Sequence, residues 1–105
     1  MFKVTIAAAD QIRQAVKQGG AEGMALRLAA TTKADGGLDY RMGFDEVTDE
    51  DISFKTEGVE VVMEPEYVPL LDETTLDYVV LDGEEEPQFI FINPKDPNFR
   101  HPGNS

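Results

Sequence analysis

The chain contains no cysteine. That excludes disulfides, and it excludes an iron–sulfur cluster or a zinc ion held through thiolates. Histidine occurs once, as His101, so no histidine cluster and no paired-histidine zinc motif can form. The glycine-rich dinucleotide fingerprint and the phosphate-binding P-loop pattern are both missing. No serine stands in a nucleophile-elbow context. No run of ~18 apolar residues is present, so no membrane-spanning helix is expected. Met1-Phe2-Lys3-Val4-Thr5-Ile6 is too short and too polar for a secretory apolar region, and a cytoplasmic location is the expectation.

Positive charge is also scarce. The net charge is −12 over 105 residues, and it is unevenly placed. Residues 1–44 carry six Lys/Arg against four Asp/Glu, whereas residues 45–105 carry three against seventeen. Such a surface repels phosphate backbones and anionic lipid, so nucleic acid and membrane are poor direct partners. The acid keeps a small protein soluble, and it can also steer the chain toward a basic protein partner.

What is present is enough for one core: 41% of the residues are hydrophobic in a chain of single-domain length. Ile6 to Gln18 reads as a helix, with Ile12 and Val16 four apart, Ala8, Ala9 and Ala15 beside them, and Gly19-Gly20 as its stop. Its start lacks a cap, since Ala7 stands where Ser or Asp would help. After Gly23 the period becomes two. Met24, Leu26, Leu28 and Ala30 alternate with Ala25, Arg27, Ala29 and Thr31, and Leu38, Tyr40, Met42 and Phe44 repeat the pattern after the turn Lys33-Ala34-Asp35-Gly36-Gly37. This predicts a β-hairpin.

Beyond it, Asp45 to Asp51 is an acidic loop. It lacks the glycine at position six and the glutamate at position twelve of an EF-hand, so at most weak cation binding is expected there. Strands are predicted at Ile52–Lys55, Val59–Met63, Thr75–Leu81 and Gln88–Ile92, with a short helix opened by Pro65 running to Leu71. Asp82 to Glu86 is a second acidic turn. The last strand is apolar on both sides and reads as central to its sheet. No carboxylate pair is placed in an apolar cleft, so no catalytic residue is expected.

The order of elements, with several strings, resembles the A-type carrier family of iron–sulfur assembly (IscA, SufA, ErpA, HesB). The strings are Leu26-Arg27-Leu28, Thr48-Asp49-Glu50-Asp51-Ile52-Ser53-Phe54, Gly58-Val59-Glu60-Val61-Val62, Leu70-Leu71-Asp72 with Leu76-Asp77-Tyr78, and Phe89 through Asn93-Pro94. The resemblance spans roughly residues 4–94. It implies an α+β, mostly β fold: a compact β-sandwich of mixed sheets with one N-terminal helix and one short helix. It also implies an IscA/HesB-like domain over residues 1–94 and a flexible tail over 95–105, where three prolines from Pro94 onward forbid regular structure.

The departures fall on the positions where that family carries its ligands. The family places a cysteine in the turn after the Leu-Arg-Leu strand, and Asp35 stands there in this chain. It ends on Cys-Gly-Cys, and the matching distance after Asn93-Pro94 reaches Arg100-His101-Pro102. Carboxylate, guanidinium and proline cannot replace soft anionic sulfur, so no cofactor and no metal ligand are expected. The resemblance extends to a cysteine-less member of the family associated with sulfur oxidation. It therefore implies a non-catalytic regulatory or interaction module rather than an enzyme, monomeric or weakly dimeric, with a protein partner.

The candidate surface is the degenerate ligand end: Asp35, Phe99, Arg100, His101 and Pro102. Gly36-Gly37 permits close backbone approach, and Phe99 beside Arg100 has the character of an interface anchor. The alternative is weak iron carriage for iron–sulfur assembly through Asp35, His101 and acids of a partner subunit.

Overall fold

Thr5 starts the first helix. Its backbone is extended (φ −74°, ψ 164°), and its hydroxyl accepts the Ala8 amide at 3.2 Å. In the computed structural model, which describes residues 1–94, the helix α1 runs Ile6–Gly19. The uncapped start expected at Ala7 is thereby corrected, because the cap position belongs to Thr5 and a threonine oxygen satisfies an otherwise orphan amide. Gly20 takes the left-handed conformation (φ 66°) that closes the far end, donating its amide to the Val16 carbonyl. Lys17 in the last turn complements the negative end of the helix dipole.

Seven strands accompany it: β1 Lys3–Val4, β2 Ala25–Thr32, β3 Leu38–Asp45, β4 Ile52–Thr56, β5 Val59–Met63, β6 Thr75–Val79 and β7 Gln88–Ile92. A 3-10 turn at Pro65–Tyr67 leads into the short helix α2, Val68–Leu71. Pro69 falls in the first turn of α2, where its missing amide costs nothing. The strands form two mixed sheets. One has the order β3-β2-β5-β4, with β2 and β5 parallel, and the other the order β1-β6-β7, with β1 and β6 parallel. This is the expected α+β sandwich of mixed sheets.

The hairpin predicted from the two alternating runs forms as β2–β3, with Leu28 opposite Met42 and Thr32 opposite Leu38. Met24 precedes the strand and Met42 sits on its edge partner, so both are more than a third exposed despite their place in the alternation. The β4–β5 hairpin turns on Glu57-Gly58, both at positive φ (52° and 78°), the geometry that matches strand twist in a two-residue loop. Arg13 of α1 donates to the Glu57 carbonyl at 2.9 Å and ties helix to turn.

Two elements differ from the sequence reading. The strand β1 is unforeseen, because two residues carry no periodicity. It exists through Lys3 donating to the Thr74 carbonyl at 2.9 Å and Thr5 donating to that of Leu76 at 3.0 Å. The strand β7 was expected to be central but pairs with β6 alone among the described residues. Its apolar side chains reflect aromatic packing at a sheet margin rather than a flanking strand on each side.

The core joins both layers. Leu26, Leu28 and Ala30 of β2 meet Val59, Val61 and Met63 of β5, Leu76 of β6, Leu71 of α2, and Ala8, Ala9 and Ile12 of α1. Tyr40, Phe44, Phe89 and Phe91 pack against this cluster half-buried. Asn93 is fully buried and donates to the Leu70 carbonyl at 2.8 Å, which fastens the end of β7 to α2. No helix among the described residues is long and apolar enough to cross a membrane.

Two substitutions test this packing. Leu28→Ala, at a position 1% exposed in the centre of β2, is expected to lower unfolding stability in urea by about 2–5 kcal/mol. Thr5→Ala is expected to cost about 1 kcal/mol. A Thr5→Ala loss no larger than that of a surface control would show that the cap does not hold α1.

Candidate functional site

The β2–β3 hairpin presents Asp35. Lys33 donates to the Gly37 carbonyl at 2.7 Å, Gly36 donates back to the Lys33 carbonyl at 3.0 Å, and Gly36 adopts φ 87°. Asp35 accepts the Gly37 amide on its Oδ1 at 2.8 Å. Its carboxylate therefore serves the turn that carries it, as short polar side chains do in Asx-type turns. Residues 31–36 are exposed, and Gly37 is buried beneath them.

Tyr40, five positions beyond Asp35, stacks on Phe91 with ring centroids 4.5 Å apart and planes 6° apart. Phe91 stands three positions before Pro94. The stack bridges the two sheets and brings the Asp35 hairpin to the same margin as the end of β7. Phe99, Arg100, His101 and Pro102, the other members of the candidate surface, lie outside the described residues.

A second polar centre was not foreseen. Arg27 stands on β2 opposite Gly43 of β3 and Val62 of β5. Register places it on the face turned away from Leu26 and Leu28, hence away from the core. Its Nη1 and Nη2 donate to Asp51 Oδ1 and Oδ2 at 2.8 and 2.7 Å, a bidentate fork. Its Nε donates to Asp45 Oδ2 at 2.8 Å, and Nη2 also reaches the Glu46 carbonyl at 2.9 Å. The Asp51 side chain is only 2% exposed. Its Oδ2 also accepts the Thr48 amide at 2.8 Å and the Thr48 hydroxyl at 3.1 Å.

The acidic loop read as a weak cation site thus already holds a cation, the guanidinium of its own chain. The sequence signal was an arginine within an apolar strand string, read as an ordinary outward polar position.

These contacts set the local electrostatics. The guanidinium fork, with the Thr48 amide behind it, holds the Asp51 carboxyl far below the usual carboxylate range. The Glu46 amide and then Arg27 lower Asp45. Hydrogen bonding to Asp51 keeps Arg27 charged beyond its ordinary range. Glu64 goes the other way, raised by its hydrogen bond with Glu66 and, less, by desolvation. All these groups border an open cleft of about 510 Å³. Among the described residues, no group of three or more His, Cys, Asp or Glu side chains is placed to hold a metal ion.

A family model described as iron–sulphur cluster biosynthesis matches residues 1–94. The iron-binding protein IscA of Yersinia pestis is 39% identical over 74 residues, covering 70% of this chain and 67% of that protein. A protein of Aquifex aeolicus is 36% identical over 81 residues, covering 76% of this chain and 70% of its own. The crystal structure of Escherichia coli SufA, involved in biosynthesis of iron–sulfur clusters, superposes with a TM-score of 0.69 at 28% identity, covering 90% of this chain and 86% of that one.

The Arg27 centre predicts an acid limb. Asp51 and Asp45 are depressed in the folded state, so their stabilisation is complete above the ordinary carboxylate value of about 4 and is lost as pH falls below it. Asp51→Asn should destabilise the protein at neutral pH and flatten the loss of stability on acidification. Arg27→Lys should act in the same direction, because an ammonium cannot make the fork. Glu64 is raised, so its charged form opposes folding above that range, and Glu64→Gln should stabilise at neutral pH. Urea midpoints at neutral pH and near pH 3 decide this; an unchanged acid slope in Asp51→Asn would remove the ion pair from the account.

Proposed function

The chain belongs to the iron–sulphur cluster biosynthesis family, and from that premise we propose that it is a non-catalytic interaction or regulatory module on an A-type carrier scaffold. The reading resembles the cysteine-less IscA-like protein DsrR of sulfur-oxidising bacteria, with a role in sulfur oxidation, a cytoplasmic location and a protein partner. Monomeric or weakly dimeric behaviour belongs to the same reading.

The observation that carries it is the state of the hairpin turn. The resemblance puts a thiolate ligand of the family at this turn. Here the turn is fully built, with its glycines and its internal hydrogen bonds, but it presents the Asp35 carboxylate bonded to the Gly37 amide. A cluster is a cargo for soft sulfur donors, and this chain offers none. The donor set does not fit a cluster. Carriage of iron through Asp35 and His101 is the weaker alternative, since the described residues contain no group of three or more His, Cys, Asp or Glu side chains that could hold a metal ion.

What a scaffold keeps when its ligands are gone is its surface. The proposed docking end combines the Asp35 hairpin with Phe99, Arg100, His101 and Pro102. The strongly acidic second half of the chain favours a basic protein partner over nucleic acid or membrane.

Two measurements test the reading. Anaerobic reconstitution with ferrous iron and sulfide should leave a colourless protein, and a chelator should not move its thermal midpoint. A brown species that survives desalting with stoichiometric sulfide would defeat the cluster-free reading. Affinity capture from a sulfur-oxidising cell lysate should yield a discrete partner, and the combination of Asp35→Ala with truncation after Pro94 should lose it. Undiminished capture by that variant would place the docking surface elsewhere.

A further inference from the structure

The edges of the two sheets are protected unequally. The edge strand β3 carries Asp39, Arg41 and Asp45 with Gly43 between them, and β4 carries Lys55. The edge strand β1 is two residues long, and its Val4 amide donates to the Thr56 hydroxyl at 3.1 Å. Charge, glycine and brevity are the usual means of blunting an edge. The strand β7 has none of them. Gln88-Phe89-Ile90-Phe91-Ile92 contains no charge, proline or glycine, and its four apolar residues are half-buried.

The pairing register fixes which of its backbone groups face outward. Lys3 and Thr5 donate to the carbonyls of Thr74 and Leu76, so those residues direct their backbone toward β1. Alternation then turns Thr75, Asp77 and Val79 toward β7, where they face Ile92, Ile90 and Gln88. The amides and carbonyls of Phe89 and Phe91 therefore point away from β6, into the open edge. Their rings are held meanwhile: Phe89 lies against Tyr78 with centroids 4.8 Å apart, and Phe91 stacks on Tyr40. The rings are packed on neighbouring tyrosines, and no strand among the described residues pairs with the outer side of β7.

The charge around it has one sign. The β6–β7 connection exposes Asp82, Glu84, Glu85 and Glu86, and no lysine or arginine lies between Lys55 and Lys95. A second copy of the chain would bring another net −12 to this edge, which works against self-pairing. We propose that the open edge of β7 receives an extended, lysine- or arginine-bearing segment of a partner protein as an added strand. Main-chain bonds at Phe89 and Phe91 supply the register, and the acidic turn selects the basic flank. This rests on the reading of the chain as an interaction module, but it uses a surface separate from the Asp35 turn.

Amide hydrogen exchange on the full chain, read residue by residue by NMR, tests it. The probe is a short synthetic peptide alternating lysine and valine. In the protein alone, the Phe89 and Phe91 amides should exchange fast. At saturating peptide they should slow roughly tenfold or more, while the Ile90 amide, already directed to β6, should not respond. The same peptide with glutamate in place of lysine should give no protection. Phe89→Pro removes one outward amide while sparing the ladder to β6, and it should abolish binding.

Because that variant also loses a ring contact, the exposed pair Glu85→Lys with Glu86→Lys provides a second arm and should weaken the lysine peptide by about tenfold. Phe89 and Phe91 amides already slow in the protein alone would show the edge covered by the chain's own last residues or by a second copy, and would overturn the proposal. Equal protection by the glutamate peptide, or protection confined to other residues, would do the same. Failure of Asp35→Ala and the truncation to disturb partner capture would leave every one of these readings unaltered, so the two ideas fail separately.

Discussion

The fork of Arg27 on Asp51 is the interaction on which the larger sheet depends. Strands β3 and β4 lie at opposite edges of the order β3-β2-β5-β4, yet only residues 46–51 join them in sequence. The connection must cross the sheet with no regular structure of its own. Arg27, near the middle of that path, holds its first residues through Asp45 and the Glu46 carbonyl and its last through Asp51. Val62 shares the outer face with Arg27 and is still fully buried, as expected for a face the connection covers. A planar guanidinium with five fixed donors can serve both ends at once, which a lysine could not.

This changes the meaning of the strings that carry the family resemblance. Leu26-Arg27-Leu28 and Thr48-Asp49-Glu50-Asp51 are two halves of one ion-pair network, with Thr48 closing it from behind. Asn93 anchors α2 by accepting the task of a buried donor to the Leu70 carbonyl. These residues build the scaffold and need no ligand to do so. Under the proposed reading, the family's ligands belong at other positions, in the hairpin turn and beyond Pro94. A scaffold whose stability comes from apolar burial and an internal arginine can lose its thiolates without losing its fold.

The described residues present two surfaces of different character at this end of the sandwich. The Asp35 hairpin is polar, glycine-rich and self-bonded. The margin beyond it, where Tyr40 stacks on Phe91, is aromatic and leads to the unblunted edge of β7. Both are set by the same pairing of the two sheets, because the stack that bridges them joins β3 to the edge strand β7.

Residue pattern alone was sufficient for the local elements. Period-two alternation around a glycine turn can bury one face only as a hairpin, and β2–β3 follows. A glycine pair ends α1, Glu57-Gly58 turns β4 into β5, and the absence of cysteine removes thiolate chemistry whatever the fold. Long-range partners were not legible, because they depend on which chain segments meet. The Thr5 cap on Ala8 is local and was there to be read in a threonine directly before the helix, whereas the bond from its hydroxyl to Asp77 spans 72 positions. The β1 pair acquired strand character only from the Thr74 and Leu76 carbonyls. An apolar run such as Gln88–Ile92 reads the same in the middle of a sheet as at its margin, and tertiary structure alone put it at the margin. Arg27 and its carboxylates are separated by 18 and 24 positions in the chain, and no local periodicity encodes a contact that only the crossing of the sheet creates.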